Sequence, residues 1–388
     1  MKVAVIGQGY VGLPLAKAAS SAGHEVIGFD NDPNVIDKLM INEKNTINYR
    51  PTLLHSDLNL CDIYIIAVPT PLTTSNKPDL SYLKSAAELI GTVAGEGALI
   101  INESTSFPGT LREIVEVTVS SSNKLKLLYA SAPERIDPAN TQWSIKNTPR
   151  VVAGLNSEAT KAALDFYSSF CDEVHAVSSP EVAEAAKLFE NTFRQVNIAL
   201  ANEFAQIAEK FGISANEVIS ASATKPFGFM KFTPGLGVGG HCIPIDPVYL
   251  EEKAQLLGAP TTFIKQATSV NQQMPRYVLS RLNKIAGGQL SGKKVCIVGL
   301  SYKKDVADIR QSPSLELWQE LKEQGCQVSF HDELVKSYNG AESVKLSEGA
   351  FDLAVVAVRH SDLSIEELKK CAKLLFDCTG TIEGIPTL

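Results

Sequence analysis

A cysteine on a glycine-rich loop is the most informative chemical feature of the chain. Residues 237–247 read GVGGHCIPIDP, so Cys242 is followed four residues later by the carboxylate of Asp246. Glycine lets backbone and ligand approach closely, and a thiolate is the nucleophile that holds an aldehyde as a thiohemiacetal for further oxidation. The alternative is a buried structural cysteine. His241 either lowers the pKa of the neighbouring thiol or makes an ordinary loop contact. The glycines favour the nucleophile.

The chain opens with a dinucleotide-binding signature. Gly7, Gly9 and Gly12 form a GxGxxG motif after a short apolar strand and before a helix. These glycines permit the tight turn, the approach of backbone to a pyrophosphate and the packing of helix on strand. Asp30 ends the next strand at the separation expected for a carboxylate that binds a ribose. It would repel a 2′-phosphate, and no arginine follows it, so the predicted cofactor is NAD rather than NADP.

A polar stripe is predicted on a long central helix. Lys187, Asn191 and Arg194 recur at positions i, i+4 and i+7, so they share one helix face. A lysine and an amide fixed on one stripe can stabilise a developing alkoxide or oxyanion. The alternative is a solvated helix face that carries ordinary charges.

Three more polar side chains follow predicted strand ends. Glu134 lies in APERIDP, Thr70 in VPTP and Thr105 in EST. Open α/β sheets bind ligands at the carboxyl ends of their strands. Each of the three could also be a capping or turn residue.

The elements that must position these residues form three regions. Apolar runs alternate with helical patterns in 1–178, a helical pattern from 180 to 211 opens the region 179–286, and a second alternating set fills 287–388. This pattern predicts an α/β protein in which two Rossmann-like doubly wound domains are joined by a long central helix and a helical middle domain. The predicted strands are 3–7, 26–30, 63–68, 98–102, 127–130, 151–154, 295–299, 327–330, 353–358 and 374–377.

The second alternating set differs from the first. Its leading strand, 295–299, ends in a single glycine, Gly299, and lacks the second and third glycines of the motif. It is therefore not expected to bind a dinucleotide. The polar run 303–310 either directs cations toward a charged ligand or is a solvated turn.

Composition narrows the functional classes. A chain of 388 residues with 44% apolar and 20% charged residues is typical of a globular protein of two or three domains. The net charge of −7 and the absence of a basic run argue against nucleic acid and acidic membranes as partners. No apolar run approaches the roughly 20 residues of a membrane span. The seven scattered cysteines indicate reduced thiols in a cytoplasm, and the six histidines suggest no metal site.

Seven motifs together resemble the UDP-glucose/GDP-mannose dehydrogenase family over essentially the whole chain. The resemblance implies an NAD-binding domain at 1–178, a homodimer core with the cysteine loop at 179–286, and a domain at 287–388 that holds the nucleotide end of a UDP-sugar. The motifs are GQGYVG (7–12), VPTP (68–71), EST with PGT (103–105, 108–110), PER (133–135), AKLFENTFRQVNIALANE (186–203), PGLGVGGHCIPID (234–246) and YKKDVADIRQSP (302–313).

The resemblance also implies a reaction and a set of site residues. The family converts a sugar C6 alcohol to a carboxylate with two NAD, through a thiohemiacetal and then a thioester on Cys242. The implied catalytic residues are Cys242, Lys187, Asp246, Asn191, Glu134 and Thr105. The implied cofactor contacts are Gly7, Gly9, Tyr10, Val11, Gly12, Asp30, Thr70, Thr105 and Arg310. The implied substrate contacts are Glu134, Arg135, Lys187, Asn191, Arg194, Phe232, Gly235, Gly239 and Lys303.

The expected substrate is UDP-N-acetylglucosamine. The sequence KPFGFM at 225–230, with Phe193 and Arg194 on the helix, looks like the branch that oxidises it. UDP-N-acetylmannosamine enzymes share GVGGHC and are the close alternative. UDP-glucose enzymes more often carry PEFLREG where this chain has PERIDPAN. The stretch from Asp30 to Ile63 is shorter than usual for the family, which affects the adenine side of the NAD pocket.

Two other classes remain as alternatives. The β-hydroxyacid and 6-phosphogluconate dehydrogenases share the fold and a helix lysine–asparagine pair, but they perform one hydride transfer without a cysteine nucleophile. A sugar-nucleotide sensor would bind both ligands without turnover. Cys242 distinguishes the first alternative, and turnover of any UDP-sugar excludes the second.

Overall fold

Alternating buried strands and amphipathic helices build two α/β units. A computed structural model describes residues 1–137, 140 and 142–388. Unit 1 comprises residues 1–190 and 248–259, and unit 2 comprises residues 191–247 and 260–388. The three-domain division with bounds at 178 and 286 stays a prediction.

Unit 1 is built on an eight-stranded sheet with the strand order β3-β2-β1-β4-β5-β6-β7-β8. Its strands are β1 (Lys2–Ile6), β2 (Glu25–Phe29), β3 (Tyr49–Thr52), β4 (Ile63–Ile66), β5 (Leu99–Asn102), β6 (Leu128–Ser131), β7 (Arg150–Gly154) and β8 (Val174–Ala176). Its first helices are α1 (Gly12–Ser21), α2 (Pro33–Asn42), α3 (Ser81–Val93), α4 (Val117–Ser122) and α5 (Ser157–Tyr167), with a 3₁₀ turn at His55–Leu58 and a π-helical segment at Leu111–Glu116. The order of the first six strands is that of a dinucleotide-binding fold.

The central strands of this sheet are buried on both faces. Val3, Ala4 and Val5 of β1 are fully buried, as are Ile65 and Ile66 of β4. Continuous apolar runs of this kind are typical of parallel sheets that are covered by helices on both sides. The predicted strands of the first region are therefore confirmed where they are most apolar.

One strand of the sheet runs in the opposite direction. β7 is antiparallel to β6, with Ala130 opposite Gly154 and Ser131 opposite Ala153. The first residue of β7, Arg150, consequently lies at the edge where the parallel strands β5 and β6 end. This reversal brings a cation to the edge that carries the candidate site residues of unit 1.

A long helix connects the two units along the chain. This helix, α6 (Pro180–Phe211), has 32 residues and is followed by Gly212 at a φ of +69°, so the predicted helix over 180–211 is confirmed. The next helices are α7 (Ala215–Ser222), α8 (Asp246–Leu256) and α9 (Thr262–Ile285). In unit 2, the buried Asn202 on α6 donates to Asn271 on α9 at 2.9 Å.

Unit 2 contains a four-stranded parallel sheet with the order β10-β9-β13-β14. Its elements are β9 (Lys294–Val298), α10 (Pro313–Glu323), β10 (Gln327–His331), the hairpin strands β11 (Ser337–Tyr338) and β12 (Ala341–Glu342), β13 (Phe351–Val356), α11 (Ile365–Cys371) and β14 (Ala372–Asp377). Trp318 of α10 packs edge-on against Phe330 of β10, with ring centroids 5.9 Å apart. The two α/β sheets confirm the predicted fold class.

The sequence-based expectations missed several short elements. β3 lies at the sheet edge and carries Arg50 and Pro51, while β8 has three residues. Neither has the apolar run that predicts a strand. α8 begins at Asp246, inside the stretch expected to be loop. In the shortened stretch between Asp30 and Ile63, β3 is connected to β4 by the turn at His55–Leu58.

Among the residues that the structure describes, no helix combines the length and the apolarity needed to cross a bilayer.

Replacement of Gly12 by alanine is expected to destabilise unit 1, and the same replacement at Gly9 is not. A Cβ at Gly12 would lie 1.8 Å from the carbonyl oxygen of Gly7, whereas a Cβ at Gly9 would meet nothing within 4 Å. Overpacking against rigid backbone costs about 1–3 kcal/mol or more. Urea unfolding followed by circular dichroism should give a lower midpoint for Gly12→Ala than for the wild type and Gly9→Ala. Equal midpoints for the two variants would contradict the packing argument.

Candidate functional site

The glycine-rich turn between β1 and α1 has the geometry of a dinucleotide site. The Gly7 amide donates to the Phe29 carbonyl at 2.8 Å, which ties the turn to the end of β2. One oxygen of Asp30 accepts from the Gln8 amide at 2.8 Å and the other from the Asp32 amide at 3.0 Å. Each carboxylate oxygen keeps a further acceptor position for a ribose hydroxyl.

The residues present fit a bound dinucleotide at this turn. A Cβ at Gly9 would point into open space, so a ligand phosphate can approach the backbone there. Gly9 and Tyr10 are exposed, and Val11 is half-buried at the start of α1. The amino end of a helix, with its free amide hydrogens, favours anions.

Two threonines lie in neighbouring loops of unit 1 that are fixed by hydrogen bonds. The Ser104 hydroxyl accepts from the Val68 amide at 2.9 Å and donates to the Val68 carbonyl at 2.8 Å, which links the loop of Thr105 to the loop of Thr70. The buried Tyr249 of α8 donates its hydroxyl to the Thr70 carbonyl at 3.1 Å. Both loops follow parallel strands at the ligand-binding edge of the sheet.

Glu134 belongs to a buried charge cluster. Arg150 donates to Glu134 at 2.9 Å and to Glu103 at 2.6 Å. Burial alone would raise the pKa of Glu134, but the charges of Arg150 and Lys187 hold it below its usual value. Burial raises the pKa of Glu103 to about 7, although Arg150 opposes the shift. Glu134 is thus held as an anion.

Arg135, a predicted substrate contact, is engaged by protein groups. It forms an ion pair with Glu190 at 2.7 Å and donates to the Pro149 carbonyl at 2.7 Å. Its role toward a substrate stays a prediction.

The cysteine loop and α6 meet within unit 2. Asn191 donates to the carboxylate of Asp246 at 2.6 Å, and Asp246 is fully buried. The Cys242 carbonyl accepts from the amides of Ile245 at 3.1 Å and Asp246 at 2.8 Å, while the Cys242 residue is exposed. Cys242 therefore lies just before α8, and the carboxylate of Asp246 is held by the side-chain amide of Asn191 on α6. Cys242 is not a buried structural cysteine.

The glycines of the loop permit close contact with protein. A Cβ at Gly239 would lie 2.7 Å from the Gln311 carbonyl, and a Cβ at Gly240 would lie 2.7 Å from the Tyr302 ring. The Gly240 amide also donates to the Arg310 carbonyl at 3.1 Å. The loop is therefore packed on the segment 302–311, so its glycines serve packing as well as the access expected from the sequence.

Cationic residues of that segment lie beside the cysteine loop. Arg310 pairs with Asp308 at 2.6 Å, and the His241 ring lies 4.0 Å from the same carboxylate. Burial and the charge of Arg310 lower the pKa of His241. A neutral ring provides no charge that would stabilise the Cys242 thiolate, so the loop-contact alternative is favoured. Lys303 is half-buried.

The segment before the cysteine loop is attached to α6 in unit 2. The ring of Phe232 packs edge-on against that of Phe193 at 5.9 Å between centroids. The Gly235 amide donates to the side chain of Asn202 at 2.9 Å. Arg194 is exposed one position after Phe193 on the same helix. These contacts place three of the predicted substrate residues along one stretch of α6.

Unit 2 also contains a cluster of possible metal ligands that the sequence did not suggest. Ligand atoms of Asp332, Glu333 and His360 lie within 4.8 Å of one another. One oxygen of Asp332 accepts from the amides of Leu300 and Ser301, at 2.7 and 3.2 Å, and His360 Nδ1 accepts from a backbone amide at 2.9 Å. These ligand atoms already serve the fold, so the cluster is structural.

Several residues of the site were missed because they act through long-range contacts. Arg150 lies in a strand, Tyr249 in a helix, and Asp308 in a polar run, and none belongs to a short motif that indicates chemistry. The one sequence feature that could have indicated Arg150 is the pair of acidic residues after neighbouring strands, Glu103 and Glu134. When both are buried, two carboxylates at neighbouring strand ends need a cation or a shared proton between them.

Comparison with known proteins identifies the family. Sequence models of the UDP-glucose/GDP-mannose dehydrogenase family match three parts of the chain: its NAD-binding domain matches residues 1–54 and 43–171, its central domain 181–273, and its UDP-binding domain 296–383. Protein CapL of Staphylococcus aureus is 38% identical over 97% of this chain and 93% of its own length. A UDP-N-acetyl-D-glucosamine 6-dehydrogenase of Pseudomonas aeruginosa is 34% identical over 97% of this chain and 96% of its own length.

A solved structure shows the same fold. The structure of a UDP-D-ManNAc dehydrogenase from Pyrococcus horikoshii superposes with a TM-score of 0.90 and 31% identity, and the match covers 100% of this chain and 97% of that one. The glycine turn with Asp30, the family matches over both units and this shared fold agree. The chain belongs to the UDP-glucose/GDP-mannose dehydrogenase family and is an NAD-dependent nucleotide-sugar dehydrogenase.

Proposed function

We propose that the protein oxidises the C6 alcohol of UDP-N-acetylglucosamine to the carboxylate in a four-electron reaction through Cys242. One observation carries the proposal: Cys242 is exposed on its loop, and Asp246, four residues later, is buried and bonded to Asn191 at 2.6 Å. A nucleophile with a fixed acid–base group beside it is the arrangement that covalent catalysis requires.

The cofactor site lies in unit 1. The backbone of Gly9, Tyr10 and Val11 would hold the pyrophosphate at the amino end of α1, and Asp30 would bind the adenine ribose. Bound there, NAD would supply the hydride acceptor for both oxidation steps, at two NAD per sugar. Gly7 and Gly12 shape the turn, and Thr70 and Thr105 are proposed as further contacts, while a cofactor contact by Arg310 stays a prediction from the sequence.

The first oxidation requires removal of the C6 hydroxyl proton. Asp246 is proposed to accept this proton, directly or through a water, and Lys187 to stabilise the developing alkoxide. Asn191 supports both roles, because it lies one helical turn after Lys187 and donates to Asp246. A positively charged group and an amide on one helix face can then stabilise each oxyanion along the path.

The second oxidation requires the thiol. Cys242 adds to the aldehyde carbon, which keeps the aldehyde from escaping and forms a thiohemiacetal that can be oxidised to a thioester. Glu134 is proposed to orient the water that hydrolyses the thioester, with Thr105 assisting. The anionic state of Glu134 supports this role, since a carboxylate accepts hydrogen bonds from water.

The nucleotide sugar is proposed to bind through unit 2 and its helix α6. Lys303 would contact the substrate, and Arg194, Phe232, Gly235 and Gly239 would line its path, while Arg135 and Glu134 stay predicted contacts. The attachment of Phe232 and Gly235 to α6 supports a preformed loop. UDP-N-acetylmannosamine is the second candidate substrate, because a solved structure with this fold is that of a protein named UDP-D-ManNAc dehydrogenase.

A homodimer in the cytoplasm completes the proposal. Exposed apolar residues form a stripe along α6, and each is at least 40% exposed. At 100° per residue they lie within about 40° of one another around the helix, which suits packing against a second copy. The stripe consists of Phe189, Phe193, Leu200, Ile207 and Phe211. No disulfide bond joins any of the seven cysteines, all of which lie in the described part of the chain, and this supports a reducing compartment.

Mixing the protein with NAD and one nucleotide sugar at a time should identify the substrate. UDP-N-acetylglucosamine is expected to yield two NADH per sugar, measured by absorbance with limiting substrate, and more efficiently than UDP-N-acetylmannosamine, UDP-glucose or GDP-mannose. A higher efficiency with UDP-N-acetylmannosamine would transfer the assignment to the second candidate. A yield of one NADH per sugar would contradict the four-electron reaction.

Replacement of Cys242 by serine should abolish the full reaction. Loss of a covalent nucleophile lowers turnover on the order of a thousand-fold or more. Cys326→Ser is the matched control, because Cys326 is a half-buried cysteine outside the site. Steady-state NADH formation by the two variants and the wild type provides the comparison. Full turnover by Cys242→Ser would exclude the thiohemiacetal mechanism.

A charge on the α6 stripe should separate the dimer. Leu200→Glu is expected to shift the molar mass in solution from that of a dimer to that of the 41.8 kDa monomer, since a buried unpaired carboxylate opposes association. Leu257→Glu is the control, because Leu257 is 74% exposed and lies outside the stripe. Analytical ultracentrifugation measures both. A dimer that persists in Leu200→Glu would place the interface elsewhere.

A further inference from the structure

The buried Arg150 joins two carboxylates at the edge of the unit 1 sheet. Arg150 is the first residue of the reversed strand β7 and is 4% exposed. Its Nη1 donates to Glu103 at 2.6 Å and its Nη2 to Glu134 at 2.9 Å. The two glutamates follow β5 and β6. The reversal of β7 therefore places one cation between two acidic strand ends.

Glu134 is fixed by donors on both of its oxygens. Oε2 accepts from Arg150, and Oε1 accepts from the amides of Arg135 at 2.6 Å and Ile136 at 2.5 Å. Each of these donors favours the ionised carboxylate. The charged groups that face Glu134 are Arg150 on β7, Lys187 on α6 and, across the arginine, Glu103. The Arg135 guanidinium is paired with Glu190.

Arg150 is itself held from several sides. Its guanidinium lies 4.7 Å from the centre of the Tyr167 ring and 3.3 Å from the Ala132 carbonyl. The Tyr167 hydroxyl donates to Glu103, which is fully buried. Glu103 is out of reach of a substrate, so it acts only through the arginine. Well-packed apolar residues can often replace a whole buried ion pair without loss of stability, and this pair includes a residue of the proposed site.

We propose that Arg150 is a positioning residue for thioester hydrolysis, which keeps Glu134 ionised and oriented toward the attacking water. This inference rests on the proposed function of Cys242 and Glu134. The water oxygen bonds to the thioester carbon, and the carbon–sulfur bond breaks with its electron pair on Cys242. One water proton passes to the sulfur, and the other leaves with the acid product. No redox change occurs, and Glu134 accepts a hydrogen bond from the water without taking up its proton.

A charge-balanced double variant tests the proposal. Glu103→Gln/Arg150→Gln removes one negative and one positive charge from the cluster and leaves Glu134 without its arginine. Burial then raises the pKa of Glu134, so the carboxylate is neutral at lower pH and returns as pH rises. Thioester hydrolysis should fall by about 100-fold at the acid end, near pH 6, and recover toward alkaline pH, whereas in the wild type the same acid limb should lie at lower pH.

The measured quantity, the amount of acylated Cys242 at each pH, distinguishes a loss of Glu134 orientation from a general loss of structure. Rapid quenching after mixing with NAD and the UDP-sugar that gives NADH, followed by mass spectrometry, measures the acyl group on Cys242 at each pH. Glu184→Gln is the matched control, because Glu184 is a buried glutamate of the same unit that accepts from the amides of Gly109 and Leu111. Its pH profile should equal that of the wild type.

The single variant Glu103→Gln keeps the test decisive if the double variant does not fold. Without its competitor, Arg150 interacts with Glu134 alone, so any acid limb of hydrolysis should move to lower pH. An unchanged limb, or a double variant with the wild-type pH profile, would overturn the role of Arg150. An absence of acyl-Cys242 in the wild type would instead overturn the proposed function, and this inference with it.

Discussion

The burial of one guanidinium between two carboxylates is the constraint on which the active edge of unit 1 depends. Arg150 is withdrawn from water, and a buried charge is tolerated only with close partners. Glu103 and Glu134 provide them, and both sit where parallel strands end. Removal of one partner of such a pair costs about 3–5 kcal/mol. The direction of β7, the geometry of the loops after β5 and β6 and the charge of Glu134 are therefore linked.

The two units use the same acidic position for different purposes. Asp30 follows β2 and Asp332 follows β10, which are each the second strand of their sheet along the chain. Each carboxylate accepts a hydrogen bond from a backbone amide in the turn after the first strand. In unit 1 the turn is open at Gly9, which leaves room for a ligand. In unit 2 the carboxylate is fully buried and paired with His360 at 3.3 Å. The carboxylate of unit 1 keeps acceptor positions for the proposed cofactor, whereas that of unit 2 is bonded to groups of its own fold.

Local signals predicted much of the fold and part of the site. The glycine spacing, the acid at the end of β2 and the continuous helical pattern of α6 are short-range features, and the structure contains them. The edge strand β3 was missed because Pro51 and Arg50 obscure its pattern. The partnership of Arg150 with Glu103 spans 47 residues, and that of Tyr249 with Thr70 spans 179. Contacts over such separations leave no local pattern, so only the folded chain reveals them.

The thiols of this protein are unequal in a way that bears on chemical modification. Cys242 is exposed, whereas Cys61, Cys171, Cys296, Cys371 and Cys378 are buried and Cys326 is half-buried. Burial raises the pKa of Cys61 and Cys371 to about 11, which suppresses their nucleophilic thiolates. An electrophilic label added to the folded protein should therefore attach at a single position. The native chain is thus suited to site-selective conjugation and to covalent inhibitors directed at one thiol, with the buried cysteines left intact.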